Sequence, residues 1–295
     1  MESNSAGVVG LGIMGGAFAR HLAAAGVRTF GYDPLPGQVD AMEAAGGHGR
    51  ESARAVARET DLVITSLPHA EALEQALFGA EGIAAEARPG LLLVETSTLP
   101  LEVKNSARTR LATAGISMLD APISGTGPQA EAKDITIFAS GERADFERAR
   151  GRLGHLARSV RYVGEFGAGS KLKYIANLLV AVHILAAAEA LALGEHAGFD
   201  AAELVPLLAD SAATSRMLEV RGPSMAAGTY AAPMMKVDVF QKDLKIIAEF
   251  AAGLGCQAPL FAATLPYFAE AAAQGMGGCD TAAVIAILRQ KAARR

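Results

Sequence analysis

The sequence is poor in cysteine and carries no excess of positive charge, and each shortage excludes a class of protein. The two cysteines are Cys256 and Cys279, so a disulfide framework and a CxxC metal or redox motif are both excluded. Acidic residues number 31 against 27 basic ones, so the chain lacks the positive field on which nucleic-acid binding depends. The six histidines have no spacing typical of metal ligands. We therefore expect neither a nucleic-acid partner nor a metal.

The hydrophobic pattern of the sequence favours neither a targeting segment nor a membrane span. Residues 1–6 are polar and place no basic region before the apolar run that follows, so we expect no targeting segment. The longest apolar stretch, residues 174–193, has the length of a membrane-spanning helix. It contains Asn177, His183 and Glu189, which favours a buried helix of a soluble protein. We expect a cytoplasmic protein with no membrane partner.

The chain divides into two regions with different patterns. At roughly 150 residues per domain, its length corresponds to about two domains. Short apolar runs alternate with helical stretches in the first region, which predicts an α/β Rossmann domain with a doubly wound parallel sheet over residues 1–165. The second region shows only helical periodicity, which predicts an all-α domain over residues 166–295. The boundary falls in the glycine-rich segment 164–169.

Individual elements follow from the same patterns. Predicted strands of the first region cover residues 6–10, 28–32, 62–66, 91–95, 117–120 and 135–140, and predicted helices cover 14–25 and 100–114. Predicted helices of the second region cover residues 171–197, 201–208, 236–254, 259–274 and 281–293.

A glycine-rich loop between the first strand and the first helix predicts a dinucleotide site. The loop Gly-Leu-Gly-Ile-Met-Gly is a GxGxxG in which Gly10 permits the tight turn, Gly12 lets a pyrophosphate approach and Gly15 lets the helix pack on the strand. Asp33 follows Gly15 by 18 positions and is expected to accept hydrogen bonds from the ribose hydroxyls. It would repel a 2′-phosphate, which favours NAD over NADP. The predicted cofactor-binding residues here are Gly10, Gly12, Ile13, Met14, Gly15 and Asp33.

Five further motifs follow in order along nearly the whole chain. They are Ser-Leu-Pro at 66–68, Thr-Ser-Thr at 96–98, Asp-Ala-Pro-Ile-Ser-Gly at 120–125, Gly-Ala-Gly-Ser-Lys-Leu-Lys at 167–173 with Asn177, and Lys-Asp at 242–243. With the glycine loop, they resemble the β-hydroxyacid dehydrogenase family, which includes 3-hydroxyisobutyrate dehydrogenase and tartronate semialdehyde reductase. The resemblance implies an oxidoreductase that interconverts a small 3-hydroxy acid and its semialdehyde or ketone by hydride transfer.

Lys173 is the candidate general acid/base. Hydride transfer from a hydroxy acid needs a group that takes the hydroxyl proton, and a lysine near a helix N-terminus and partly buried has a pKa lowered toward neutrality. Asn177 lies one turn further on the same helical face, where its amide can bond the substrate. The resemblance implies the same two roles. Lys171 is expected to face elsewhere and to be dispensable.

The segment Ser124-Gly125-Thr126 is the candidate site for the substrate carboxylate. A hydroxyl and successive backbone N–H groups form a concave anion site, and the resemblance implies carboxylate binding here. The sequence departs from the family pattern in this segment and after the lysine, which puts the usual small substrates in doubt. The departing residues are Thr126, Gln129, Lys133, Asp134 and Ala176.

The remaining site residues are implied by the resemblance alone. Leu67, Pro68 and Thr98 would line the nicotinamide side of the cofactor. Lys242 would lie near the nicotinamide or the substrate, with Asp243 holding it; an exposed charged pair is the other interpretation.

Two other functions remain open on the sequence. One is an imine reductase and the other is a non-catalytic assembly module, and relatives of both kinds resemble this chain in fold. Such relatives are expected to lack the lysine that this chain has at position 173. The long apolar-rich helix of the second region predicts a subunit interface, so we expect a homodimer or a homotetramer.

Overall fold

The computed structural model describes residues 4–86 and 88–293, which form two compact units that divide after Lys173. The long helix that carries Lys173 begins in the first unit and continues into the second.

The amino-terminal unit is built on a parallel sheet. Its six strands are β1 (Ser5–Val9), β2 (Arg28–Tyr32), β3 (His48–Gly49), β4 (Leu62–Thr65), β5 (Leu92–Glu95) and β6 (Ser117–Asp120). They pair in the order β3-β2-β1-β4-β5-β6, and every pair is parallel. The order reverses between β1 and β4, which is where doubly wound sheets bind ligands at the carboxyl ends of their strands.

Helices cover both faces of this sheet. They are α1 (Ile13–Ala24), α2 (Pro36–Glu43), α3 (Ala53–Glu59), α4 (Ala70–Phe78), α5 (Leu101–Thr113), α6 (Gly127–Glu131) and α7 (Arg143–Gly154), with a 3₁₀ turn at Ile83–Glu86. Alternate residues of β4 enter opposite cores, because Leu62 and Ile64 belong to one hydrophobic cluster and Val63 to the other. A sheet buried on both faces needs continuous apolar runs, which is why β4 and β5 were readable from the sequence. Strand β3 has only two residues and was not predicted.

A second, smaller sheet differs from the sequence prediction. It consists of β7 (Ile123–Ser124), β8 (Thr136–Ala139) and β9 (Ser159–Tyr162), with β7 antiparallel to β8 and β8 parallel to β9. The predicted strand at 135–140 is therefore present as β8, but it lies outside the six-stranded sheet. Its partners escaped the prediction because β7 has only two residues and β9 only four, too few for a clear pattern.

The carboxy-terminal unit is helical, as predicted. It contains most of α8 (Ala168–His196), then α9 (Ala201–Ala209), α10 (Arg216–Ala227), α11 (Val237–Gly253), α12 (Pro259–Ala271), a π turn (Ala272–Met276), a 3₁₀ turn (Thr281–Ala283) and α13 (Val284–Ala293). The buried side of α8, including Tyr174 and Ile184, packs with Phe240 and Phe268 in one core. Helix α10 was not predicted, since Gly222 and Pro223 interrupt its pattern.

Helix α8 is the one described helix that passes a length-and-composition test for a membrane span. Its most apolar window is 44% buried inside the protein. The helix contributes buried side chains, among them Ala181, Ile184 and Leu191, to the core of the helical unit.

Candidate active site

The cofactor loop joins β1 to α1, and its glycines are needed for different reasons. Gly10 has φ +88°, and a Cβ there would lie 2.3 Å from the carbonyl oxygen of Ser66. A Cβ on Gly15 would lie 1.8 Å from the carbonyl oxygen of Gly10. Gly12 caps α1 and has open space where a Cβ would be. The helix N-terminus and that open space fit a dinucleotide pyrophosphate.

Asp33 is fixed against this loop by hydrogen bonds. Its Oδ2 accepts the N–H of Leu11 at 2.7 Å, and its Oδ1 accepts the N–H of Leu35 at 2.9 Å. A carboxylate offers about four acceptor positions, so these two bonds leave capacity for ribose hydroxyls. The predicted acidic residue thus stands beside the predicted loop.

The turns after β4 and β5 are bonded to each other. The N–H of Leu67 donates to the Oγ of Ser97 at 2.8 Å, and the N–H of Ser97 donates to Oε1 of Glu95 at 2.9 Å. Both turns lie at the carboxyl edge of the sheet, and the turn after β4 lies beside the glycine loop that follows β1. The predicted cofactor residues in these turns are Leu67, Pro68 and Thr98.

The candidate carboxylate segment lies beside the cofactor loop in the same unit. Gly125 has φ +151°, and a Cβ there would meet the side chain of Ile135 at 2.5 Å. A Cβ on Gly127 would lie 2.6 Å from Cγ2 of Ile13, so the start of α6 packs closely on the start of α1. Ser124, Gly125 and Thr126 are therefore held next to the predicted dinucleotide loop.

Four of the departures from the family pattern form one local cluster. Thr126 and Gln129 make a capping box at the N-terminus of α6, and the Thr126 hydroxyl lies 3.1 Å from Oε1 of Gln129. Gln129 donates to Asp134 at 3.2 Å, and Lys133 adopts a left-handed conformation with φ +57°. Thr126 and Gln129 contact each other directly, so the departures from the family pattern at these two positions are structurally coupled.

A fully buried ion cluster lies beneath these turns. The ammonium of Lys104, on α5, is 2.8 Å from Oε2 of Glu95 and 2.8 Å from Oδ1 of Asp120. Glu95 and Asp120 are register partners at the ends of neighbouring strands. Burial disfavours the ammonium, but the charges and hydrogen bonds of Asp120 and Glu95 outweigh it and raise the pKa of Lys104.

Asp120 also binds the first turn of α8. Its Oδ2 accepts the N–H of Ser170 at 2.8 Å, and its Oδ1 accepts the Ser170 hydroxyl at 2.7 Å. The N–H of Gly169 donates to the Oγ of Ser140 at 3.0 Å. Lys173 follows one turn later and is only 6% exposed, whereas Lys171 is exposed as expected.

Asn177 and Lys242 meet the same carboxylate in the helical unit. The amide nitrogen of Asn177 donates to Oδ2 of Asp243 at 3.0 Å, and the ammonium of Lys242 is 3.4 Å from Oδ1 of Asp243. Asp243 is buried on α11 and Asn177 is buried on α8. The carboxylate therefore orients two predicted site residues. Its contact with Lys242 was predicted, and its contact with Asn177 was not.

Lys104 and Glu95 were not predicted from the sequence. The signal that was available is an acidic residue at the end of an apolar strand, which occurs at both Glu95 and Asp120. Lys104, the cation that both carboxylates bind, lies on α5, between the two strands in the sequence. Its pairing with them is decided by the tertiary structure and not by the spacing along the chain. Among residues 4–86 and 88–293, no group of three or more His, Cys, Asp or Glu side chains is arranged to hold a metal.

Comparison with family models identifies the class. Residues 5–164 match the NAD binding domain of 6-phosphogluconate dehydrogenase, and residues 167–288 match the model described as NAD-binding of NADP-dependent 3-hydroxyisobutyrate dehydrogenase. With the Rossmann sheet and its glycine loop, these matches define an oxidoreductase with an NAD(P)-binding domain.

Individual relatives then identify the family. The chain is 38% identical over 286 residues to L-threonate dehydrogenase of Cupriavidus necator, covering 97% of this chain and 96% of that protein. It is 33% identical to 2-hydroxy-3-oxopropionate reductase of Escherichia coli, covering 96% of each. The crystal structure of 3-hydroxyisobutyrate dehydrogenase from Salmonella typhimurium matches with a TM-score of 0.88 at 35% identity, covering 96% and 99% of the two chains. The chain belongs to the β-hydroxyacid dehydrogenase family, and the predicted enzyme class is confirmed.

Proposed function

We propose that this enzyme is an NAD-dependent dehydrogenase that interconverts a small 3-hydroxy acid and its semialdehyde or ketone, with Lys173 as the general acid/base. The observation that carries the proposal is the anchoring of α8. Asp120, at the carboxyl end of β6, binds Ser170, and this contact keeps the buried Lys173 in the unit that contains the cofactor loop.

The cofactor preference rests on Asp33. Its carboxylate is fixed beside the glycine loop, where it favours ribose hydroxyls and disfavours a 2′-phosphate. NADP is the alternative, because the family model that matches residues 167–288 is described by an NADP-dependent enzyme. When bound, the nicotinamide supplies the hydride acceptor.

The chain's own residues handle the proton and the carboxylate. A neutral Lys173 takes the proton of the substrate hydroxyl as the carbon–hydrogen bond breaks, and it returns the proton in the reverse direction. Ser124, Gly125 and Thr126 hold the substrate carboxylate through hydroxyl and N–H groups. Asn177, oriented by Asp243, bonds the substrate, and Lys242 adds positive charge near the cofactor or substrate.

We further propose the organisation of the protein. Residues 1–165 form the NAD-binding domain, and residues 166–295 form the substrate and oligomerisation domain of a cytoplasmic homodimer or homotetramer. Exposed apolar side chains on α8, among them Ile175, Leu179 and Leu193, support a subunit interface on this helix.

The test is a substrate panel followed by a lysine substitution. L-threonate and 3-hydroxyisobutyrate are assayed for oxidation and 2-hydroxy-3-oxopropionate for reduction, each with the NAD and the NADP form of the cofactor. Lys173→Ala is expected to lower kcat roughly 1,000-fold while cofactor binding is retained, because proton transfer alone contributes 10²–10⁴-fold. The matched control is Lys171→Ala, which should keep normal turnover. An active Lys173→Ala enzyme would contradict the assigned role.

A further inference from the structure

Lys104 is buried at a point where charge is expensive, and it touches no solvent. Its side chain and those of Glu95 and Asp120 are all 0% exposed. Apolar residues of similar volume would often stabilise such a position equally well or better. Stability alone therefore does not explain why the cluster is present.

The two carboxylates each bind Lys104 and also bind a segment of the candidate active site. Glu95 uses Oε2 for the ammonium and Oε1 for the N–H of Ser97. The Oγ of Ser97 in turn accepts the N–H of Leu67. Asp120 uses Oδ1 for the ammonium and both oxygens for Ser170. One cation is therefore connected to the two turns at the sheet edge and to the first turn of α8.

Without that cation, the arrangement would oppose itself. Glu95 and Asp120 are paired residues of adjacent parallel strands, so two buried negative charges would repel each other at the edge of the sheet. Repulsion would displace the turn that holds Ser97, the first turn of α8, or both. A displacement of about 1 Å in an active site costs roughly 100-fold in rate.

We propose that Lys104 is a positioning residue for the reaction, which holds the first turn of α8 through Asp120 and the turn at Ser97 through Glu95. The inference rests on the proposed role of Lys173, which lies one turn beyond Ser170. Lys104 touches no reacting atom in this account, and its effect reaches the chemistry through the backbone of α8.

The same unit contains a matched control cluster. Arg152 is 8% exposed and pairs with Asp61, which precedes β4, and it also donates to the carbonyl oxygen of Ser5 at the start of β1. This pair lies at the amino ends of the strands, whereas the candidate site lies at their carboxyl ends. Its loss should affect stability without affecting the chemistry.

The experiment compares variants in which every charged side chain of a cluster is replaced by an uncharged one. Removing Lys104 alone would leave two unpaired buried carboxylates, so Lys104→Met is combined with Glu95→Gln and Asp120→Asn. The control combines Arg152→Met with Asp61→Asn. Ser170→Ala provides a mild variant that removes one hydroxyl bond and is expected to fold. For all of them, kcat, KM and cofactor Kd are measured with the panel acid that is turned over fastest, alongside thermal stability.

The triple variant is expected to lose roughly 10- to 100-fold in kcat, with KM and cofactor Kd within about threefold, and Ser170→Ala is expected to lose a smaller factor in kcat. Amide hydrogen exchange of residues 167–173, measured without cofactor or substrate, should be faster in the triple variant than in the control. A triple variant that loses only thermal stability, as the control does, would overturn the proposal. If Lys173→Ala is inactive while the triple variant keeps its kcat, this inference alone is wrong. A fully active Lys173→Ala enzyme would overturn both this inference and the assigned base.

Discussion

At the scale of single residues, the three glycines of the cofactor loop have separable roles. Gly10 and Gly15 are required by the protein itself, because a Cβ at either position would collide with backbone oxygen. Gly12 is surrounded by open space, so its missing side chain serves whatever approaches from outside. The sequence motif contains all three glycines, but it does not distinguish those that the fold requires from the one that leaves space for a ligand.

We predict opposite outcomes for two single substitutions. Gly15→Ala should lower the free energy of unfolding by about 3 kcal/mol, because the added methyl group overpacks the contact between strand and helix. Gly12→Ala should leave the thermal midpoint unchanged and weaken NAD binding roughly tenfold or more, since the methyl group occupies pyrophosphate space. Thermal unfolding and cofactor titration distinguish them. Equal effects on both quantities in both variants would contradict this division.

We expect Asp33 to determine the cofactor preference. Asp33→Asn retains the size and one acceptor oxygen but removes the negative charge that faces a 2′-phosphate. The ratio of kcat/KM for NAD to that for NADP is expected to fall about tenfold, equivalent to about 1.4 kcal/mol. A wild-type enzyme that already prefers NADP would show the interpretation of Asp33 to be wrong.

At the scale of elements, α5 is joined to the sheet by the charge of Lys104 as well as by apolar packing. Lys104→Met by itself is expected to lower the free energy of unfolding by about 3–5 kcal/mol, because two carboxylates lose their buried partner. The combined neutral variant should lose much less, since it leaves no unpaired charge. Chemical denaturation of both proteins measures the difference.

The pH dependence of this stabilisation follows from the sign of the shift. The pKa of Lys104 in the folded protein is raised above its ordinary value of 10.5. The stabilisation is therefore complete below pH 10.5 and is lost only as pH rises through the higher folded pKa. The stability difference between wild type and Lys104→Met should therefore not shrink as pH rises from about 7 to about 9. A difference that shrinks across this range would contradict the raised pKa.

At the scale of the whole molecule, the apolar side chains of α8 are divided between a core and an exposed face. Ile175, Leu179 and Leu193 are exposed, and 14 residues separate the last two, which is about four helical turns and places them on one face. We predict that light scattering will show a dimer or tetramer, and that Leu179→Asp combined with Leu193→Asp will reduce its mass. The control is Leu260→Asp, an exposed position on α12 that should leave the mass unchanged. A monomeric wild-type protein at micromolar concentration would contradict the interface.

The sequence was informative wherever local pattern and local structure have the same cause. The continuous apolar runs of β4 and β5 and the glycine loop before α1 were located to within one or two residues, because a doubly covered sheet and a tight turn both restrict the residues that build them. Strand β7 of the small sheet and helix α10 were not readable, since β7 is too short for a pattern and α10 contains Gly222 and Pro223.

The sequence by itself determined the fold class, the cofactor loop and the order of the family motifs, because each depends on residues close together in the chain. Only the tertiary structure decided that Lys104 joins Glu95 to Asp120, that Asp120 holds the start of α8, and that Asp243 is shared by Asn177 and Lys242. The reason is physical: a buried charge is stable only beside its partner, and the folded chain, not the spacing along it, selects which partner that is.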